Sequence, residues 1–144
     1  MCLITEQKKP KVADKDIVCY KAGGYNKQKN IFWGIYYCFE YELSKLYKTK
    51  LKESTDCFYY DSEAIEQYGL NPFHFRPGKL MEELKKRYNI IGSGFHSAES
   101  LDRLKREGRS EKAKCIIPKG SLYYKDKTGL LVSNQIIVEE IINL

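Results

Sequence analysis

Along much of this chain short apolar runs rich in β-favouring residues are bounded by polar, glycine or proline turns, the pattern of strands. Asp16-Ile17-Val18-Cys19-Tyr20-Lys21-Ala22 reads as the first ordered strand, closed by Gly23-Gly24. The aromatic run Ile31 to Tyr41 reads as a second strand with Gly34 as a bulge. Glu42 to Leu51 fits two templates: Leu43, Leu46 and Tyr47 have helical spacing, whereas Leu46, Lys48 and Lys50 alternate with Tyr47, Thr49 and Leu51. Strand is preferred there. Cys57 to Tyr60 predicts a further short strand.

The last third alternates apolar runs with turns. Lys112 to Pro118, Ser121 to Tyr124, Leu130 to Asn134 and Gln135 to Ile142 predict strands, with Pro118-Lys119-Gly120 and Asp126-Lys127-Thr128-Gly129 as turns.

Three segments predict helices. Asp61 or Ser62 can cap a short helix through Tyr68, stopped by Gly69. After the proline-containing loop Asn71 to Gly78, Lys79 to Tyr88 places Leu80, Met81, Leu84 and Tyr88 on one side and charges on the other. Ser97 is a good N-cap for Ala98 to Glu107, ended by Gly108. Strands at short spacing with two or three short helices between them predict an α+β fold, mainly antiparallel. At 144 residues the chain reads as one domain, 1–144, with a polar lead-in over 1–14 and a loop-helix insertion over 70–89.

Composition adjusts this picture in three ways. Twelve tyrosines and six phenylalanines strengthen the expectation of strands and of a ligand or partner surface, with a homo-oligomer as a mild corollary. A net charge of +6 favours anionic partners: a nucleotide, an acidic protein or, less favoured, nucleic acid. No apolar window is long enough for a membrane helix and the start turns charged early, so a soluble cytoplasmic protein without membrane partners is expected. Five cysteines, an odd count without a C-x-x-C pair, are expected to be reduced thiols.

Candidate chemistry gathers at Ile90 to Ser100. Gly92 and Gly94 let backbone approach a ligand, His96 titrates near neutrality, and Ser97 opens a helix whose free N–H groups favour anions. Lys119, on a basic turn, leads into Tyr123-Tyr124, of which one should point inward and one outward to stack on a base. No nucleophile motif stands out, and His74 and His96 have no flanking ligand cluster, so neither catalytic residues, a metal nor a cofactor is expected. Loss of Met1 would expose Cys2 as an N-terminal thiol, a minor possibility.

Tyr20-Lys21, Gly94-Phe95-His96-Ser97, the segment Lys114 to Tyr124 and the closing Val132 to Ile141 together resemble a group of small phage and prophage proteins. The resemblance covers the first strand and the stretch from Gly94 onward. More distantly, the order of elements resembles ADP-ribosyltransferase-like folds, which bind a nicotinamide dinucleotide in a cleft. Tyr20-Lys21 stands where those enzymes carry an arginine or histidine, and Glu139 or Glu140 is a loose match to their late glutamate.

The resemblance, with the basic charge, implies a phage-encoded counter-defence protein that sequesters a small nucleotide-like signal without turning it over. Lys21, Gly94, His96, Ser97, Lys119, Tyr123 and Tyr124 would hold the ligand. A nucleotide-processing enzyme, or a protein that docks on a host defence factor, is the alternative.

Overall fold

The computed structural model describes residues 3–34, 39–53, 68–69, 79–107 and 110–142. The expected strand at Cys57 to Tyr60, the helix up to residue 67, the loop Asn71 to Gly78, and Cys2, Cys38 and Cys57 lie outside these residues. The described strands are β1 (Leu3–Thr5), β2 (Lys11–Val12), β3 (Ile17–Asn26), β4 (Ile31–Gly34), β5 (Glu40–Glu42), β6 (Leu46–Lys48), β7 (Lys52–Glu53), β8 (Asn89–Ser93), β9 (Phe95–Ala98), β10 (Glu111–Ile117), β11 (Leu122–Lys125), β12 (Leu130–Ser133) and β13 (Gln135–Ile142). Among the described residues there is one α-helix, α1 (Lys79–Arg87), and one 3-10 helix, Asp102–Glu107. The protein is therefore a mostly antiparallel β structure, and the expected α+β fold with two or three helices is incorrect.

The large sheet runs β2-β11-β12-β9-β3-β10-β13-β6, with β4 pairing β3 and β5. Its spine is β3 against β10, in register from Ile17↔Ile117 to Gly23↔Glu111. Odd-numbered β3 residues face the main core, where Cys19, Phe32, Tyr41, Ala113, Cys115, Ile117, Ile136 and Val138 are buried. Phe32 is wholly inaccessible, and such a side chain contributes about 2–3 kcal/mol of burial. A corner at Asn134 turns the chain from β12 into β13. The Asn134 Oδ1 accepts from Leu122 N at 2.8 Å and its carbonyl accepts from Thr49 N at 2.8 Å, so the sheet curls round the core.

A second sheet, β1-β8-β7, packs its Leu3 and Ile91 against Tyr124 and Val132 of the large sheet. Leu3–Thr5, within the expected polar lead-in, is thus a buried strand, and the ordered chain starts well before Asp16. α1 follows the predicted helix to within a residue and buries Leu84 completely.

Three local expectations fail for identifiable reasons. Gly23-Gly24 does not end the first strand, because a Cβ at Gly23 would lie 1.9 Å from the Trp33 carbonyl oxygen. Bare backbone there lets β4 approach and the strand continue to Asn26. Ile31 to Tyr41 is not one strand: β4 and β5 are antiparallel partners, Ile31 facing Glu42, so that Phe32 and Tyr41 both enter the core with ring centroids 6.5 Å apart. Ser97 caps no helix either. It sits within β9, where β12 offers a full ladder (Leu131↔Ser97, Val132↔His96), and helical backbone begins only at Asp102.

Candidate functional site

The turn Ser93-Gly94-Phe95 carries the chain from the small sheet to the large one. Gly94 has φ +146°, and a Cβ there would meet Val132 Cγ1 at 2.3 Å and Leu51 Cδ2 at 2.7 Å. The glycine is required by the fold, since it lets two strands and Leu51 close on one point. Beside it, Lys48, Thr49, Lys50, Lys52 and Ser93 line an open depression of about 520 Å³.

The residues 48–52 link β6 of the large sheet to β7 of the small one, with Lys48 opposite Gln135 and Lys52 opposite Ser93. Lys48, Lys50 and Lys52 border the depression while Leu51 turns in against Gly94. All three lysines are exposed, and none is in an ion pair among the described residues. The depression is thus bordered by three exposed lysines together with Thr49 and Ser93.

The seven residues expected to hold a ligand do not converge on one cleft. Lys21 is buried, its ammonium Nζ donating to the His96 carbonyl and lying 5.4 Å from the centre of the Tyr41 ring. Burial holds this amine below the ordinary lysine range, and the sulfurs of Cys115 and Cys19 only partly offset that. His96 Nδ1 lies 3.2 Å from the Gly94 carbonyl, and Ser97 is buried. Lys21, Gly94, His96 and Ser97 thus do lie together, but as structural neighbours of the core.

Lys119 is exposed at the far end of β3, where its N–H donates to Asp16 Oδ1 at 2.8 Å. His96 falls beside Ala22, counting from the pair Tyr20↔Ala98. Six residues of strand separate the two levels, about 20 Å at ~3.3 Å per residue. Tyr124 is buried in the second core and Tyr123 packs on the first, so neither offers the free ring expected for stacking.

A polar cluster stands inside the main core. Cys19 and Cys115 are directly opposite across β3 and β10, both inaccessible and both free thiols. The hydrogen bond from Cys115, the Ser97 hydroxyl and the Lys21 charge hold Cys19 below the usual thiol range, against the effect of burial. The same thiol–thiol hydrogen bond and burial push Cys115 well above it. Among the described residues no group of three metal-ligating side chains occurs, and no helix is long and apolar enough to cross a membrane. No protein-family model, curated protein or solved structure matches the chain.

Sequence reasoning overlooked the lysines of the depression as a site, although their signal was present. The alternation that favours strand over helix in Glu42 to Leu51 also spaces Lys48, Lys50 and Lys52 two residues apart.

Proposed function

We propose that the protein binds a small anionic, nucleotide-like ligand through its phosphates at the depression of Lys48, Lys50 and Lys52, and holds it without turnover. The observation that carries this is one open concavity whose lining comprises three exposed lysines, Thr49 and Ser93. Ammonium groups on flexible stems adapt to phosphate oxygens, and the net charge of +6 raises the local anion concentration. The five lining side chains include no carboxylate, imidazole or thiol, so they supply no base near neutral pH. None is aromatic, which favours a small ligand over single-stranded nucleic acid, whose bases stack on exposed rings.

Sequestration of a nucleotide signal, as a counter-defence protein of the phage type performs it, is the biological role that fits non-catalytic binding. A cytoplasmic setting suits it, because a reducing compartment keeps cysteines such as Cys19 and Cys115 as free thiols. Thermal-shift and calorimetric titration with NAD-derived and cyclic nucleotides tests the proposal. At least one compound is expected to bind, to be recovered intact after heat denaturation, and to lose binding in the K48E/K50E/K52E variant. Uptake of none of them, conversion of the ligand, or undiminished binding by the variant overturns it.

A further inference from the structure

We propose that Cys19 and Cys115 are an intramolecular redox pair, a dithiol that a hydroperoxide converts into a disulfide bridging β3 and β10 at the centre of the large sheet. The two residues are direct partners in an antiparallel register. Direct partners have Cα atoms about 4.5–5.5 Å apart, inside the roughly 4.4–6.8 Å a disulfide spans. A register shift in the β10–β13 ladder between Lys114 and Cys115 gives β10 slack at this point. Both thiols are fully enclosed, so once Cys19 has been oxidised the Cys115 thiol is the one held next to it.

The surroundings divide the work between the two sulfurs. Cys19 lies beside the Lys21 ammonium and the Ser97 hydroxyl, both of which favour its thiolate. Ser97 Oγ is buried and makes no hydrogen bond among the described residues, which leaves its hydroxyl unengaged in the interior near this thiol. The Cys19 thiolate attacks one oxygen of the peroxide. An S–O bond forms, the O–O bond breaks, and the departing alkoxide takes up the proton that Cys19 released, leaving as the alcohol. The Cys115 sulfur then attacks the Cys19 sulfur. The S–S bond forms, the S–O bond breaks, and hydroxide leaves as water with the Cys115 proton. Two electrons pass from the thiols to the peroxide, which is the complete balance.

The seam between β3 and β9 offers a route to the pair: its ladder has one register pair, Tyr20↔Ala98, supplemented by the Lys21 Nζ to His96 carbonyl hydrogen bond. Ser97 and Cys19 flank that seam, and local opening there, well short of global unfolding, uncovers Cys19.

The folded protein is treated with tert-butyl hydroperoxide, quenched, alkylated under denaturing conditions and digested with trypsin. The expected product is the peptide Asp16 to Lys21 linked to Cys115 to Lys119, two hydrogens lighter than the sum of the two and abolished by dithiothreitol. In a parallel melt the oxidised protein should unfold at a higher temperature than the reduced one, reversibly with dithiothreitol. In C115S, Cys19 should be trapped as its sulfenic acid by dimedone. Both cysteines fully alkylated after peroxide, or Cys19 linked instead to Cys38 or Cys57, overturns the proposal, and the wild-type result stands whether or not C115S folds.

Discussion

Replacing Gly94 with alanine tests the fold and the site at once, because this residue joins the two sheets and borders the lysine depression. The new methyl would start 2.3 Å from Val132 Cγ1 and 2.7 Å from Leu51 Cδ2, where carbon atoms need about 3.5–4.0 Å. Val132 is wholly buried and has nowhere to retreat, so the strands must part by more than an ångström. Overpacking of this kind costs about 1–3 kcal/mol, and an L side chain at φ +146° adds about 1–2 kcal/mol. The sum is about 3 kcal/mol, which for a domain of this size lowers the melting midpoint by roughly 6–12 °C. Leu51 lies between Lys50 and Lys52, so its displacement should also weaken anion binding. Urea denaturation and a thermal melt of G94A against the parent measure the first effect. A loss below about 0.5 kcal/mol with ligand affinity unchanged refutes the packing described for this turn.

Three further outcomes follow from the same geometry. Lys21→Met should change the pH dependence of stability: an amine held below the ordinary 10.5 carries fewer protons folded than unfolded. The parent's stability should therefore rise with pH from the folded-state pKa up to about 10.5, with the cost of the buried ammonium fully present below that interval. K21M should lack this rise and gain about 1 kcal/mol near neutral pH, read from urea midpoints across the alkaline range. Asp126→Ala should lose about 2–3 kcal/mol in urea unfolding, because Asp126 Oδ1 accepts from Thr128 N, Thr128 Oγ1 and Leu130 N at 2.8, 2.7 and 2.9 Å to hold the β11–β12 turn. In calorimetric titration Lys50→Glu should weaken anion binding about tenfold or more, ~1.4 kcal/mol, and by more than Lys119→Glu does, because Lys119 does not line the depression.

The strands and turns of the last third were legible from sequence because each apolar run there is local and bounded by Gly, Pro or Asp turns. α1 was legible for a similar reason, since Leu84 recurs at helical spacing among charges. What sequence periodicity could not reach was pairing over distance. Gly23-Gly24 reads as a stop signal, and only the approach of Trp33 makes it a close strand crossing. Ser97 has the chemistry of a cap, but a neighbouring β12 claims its backbone first. The buried Leu3–Thr5 strand is too short to stand out from its polar flanks.

The candidate site divides along the same line. His96, Ser97 and Lys21 do come together, yet their proximity is the inside of a sheet seam, because Lys21 points to the core with Cys19. Tyr123 and Tyr124 face opposite sides as a strand requires, and a core waits on each side. The lysines of the depression belong to a segment whose period was visible, while their concavity is created by the junction of two sheets.

The most direct test of anion binding at the depression is a nitrogen–proton correlation titration of the folded protein with inorganic triphosphate and with a cyclic dinucleotide. Binding there predicts saturable shifts largest at the amides of Lys48 to Lys52 and Ser93, and smaller at Lys119, Gly120 and Tyr123, which do not line the depression. Shifts centred on Lys119 and the tyrosines of β11, or no saturable shift with either probe, would contradict it.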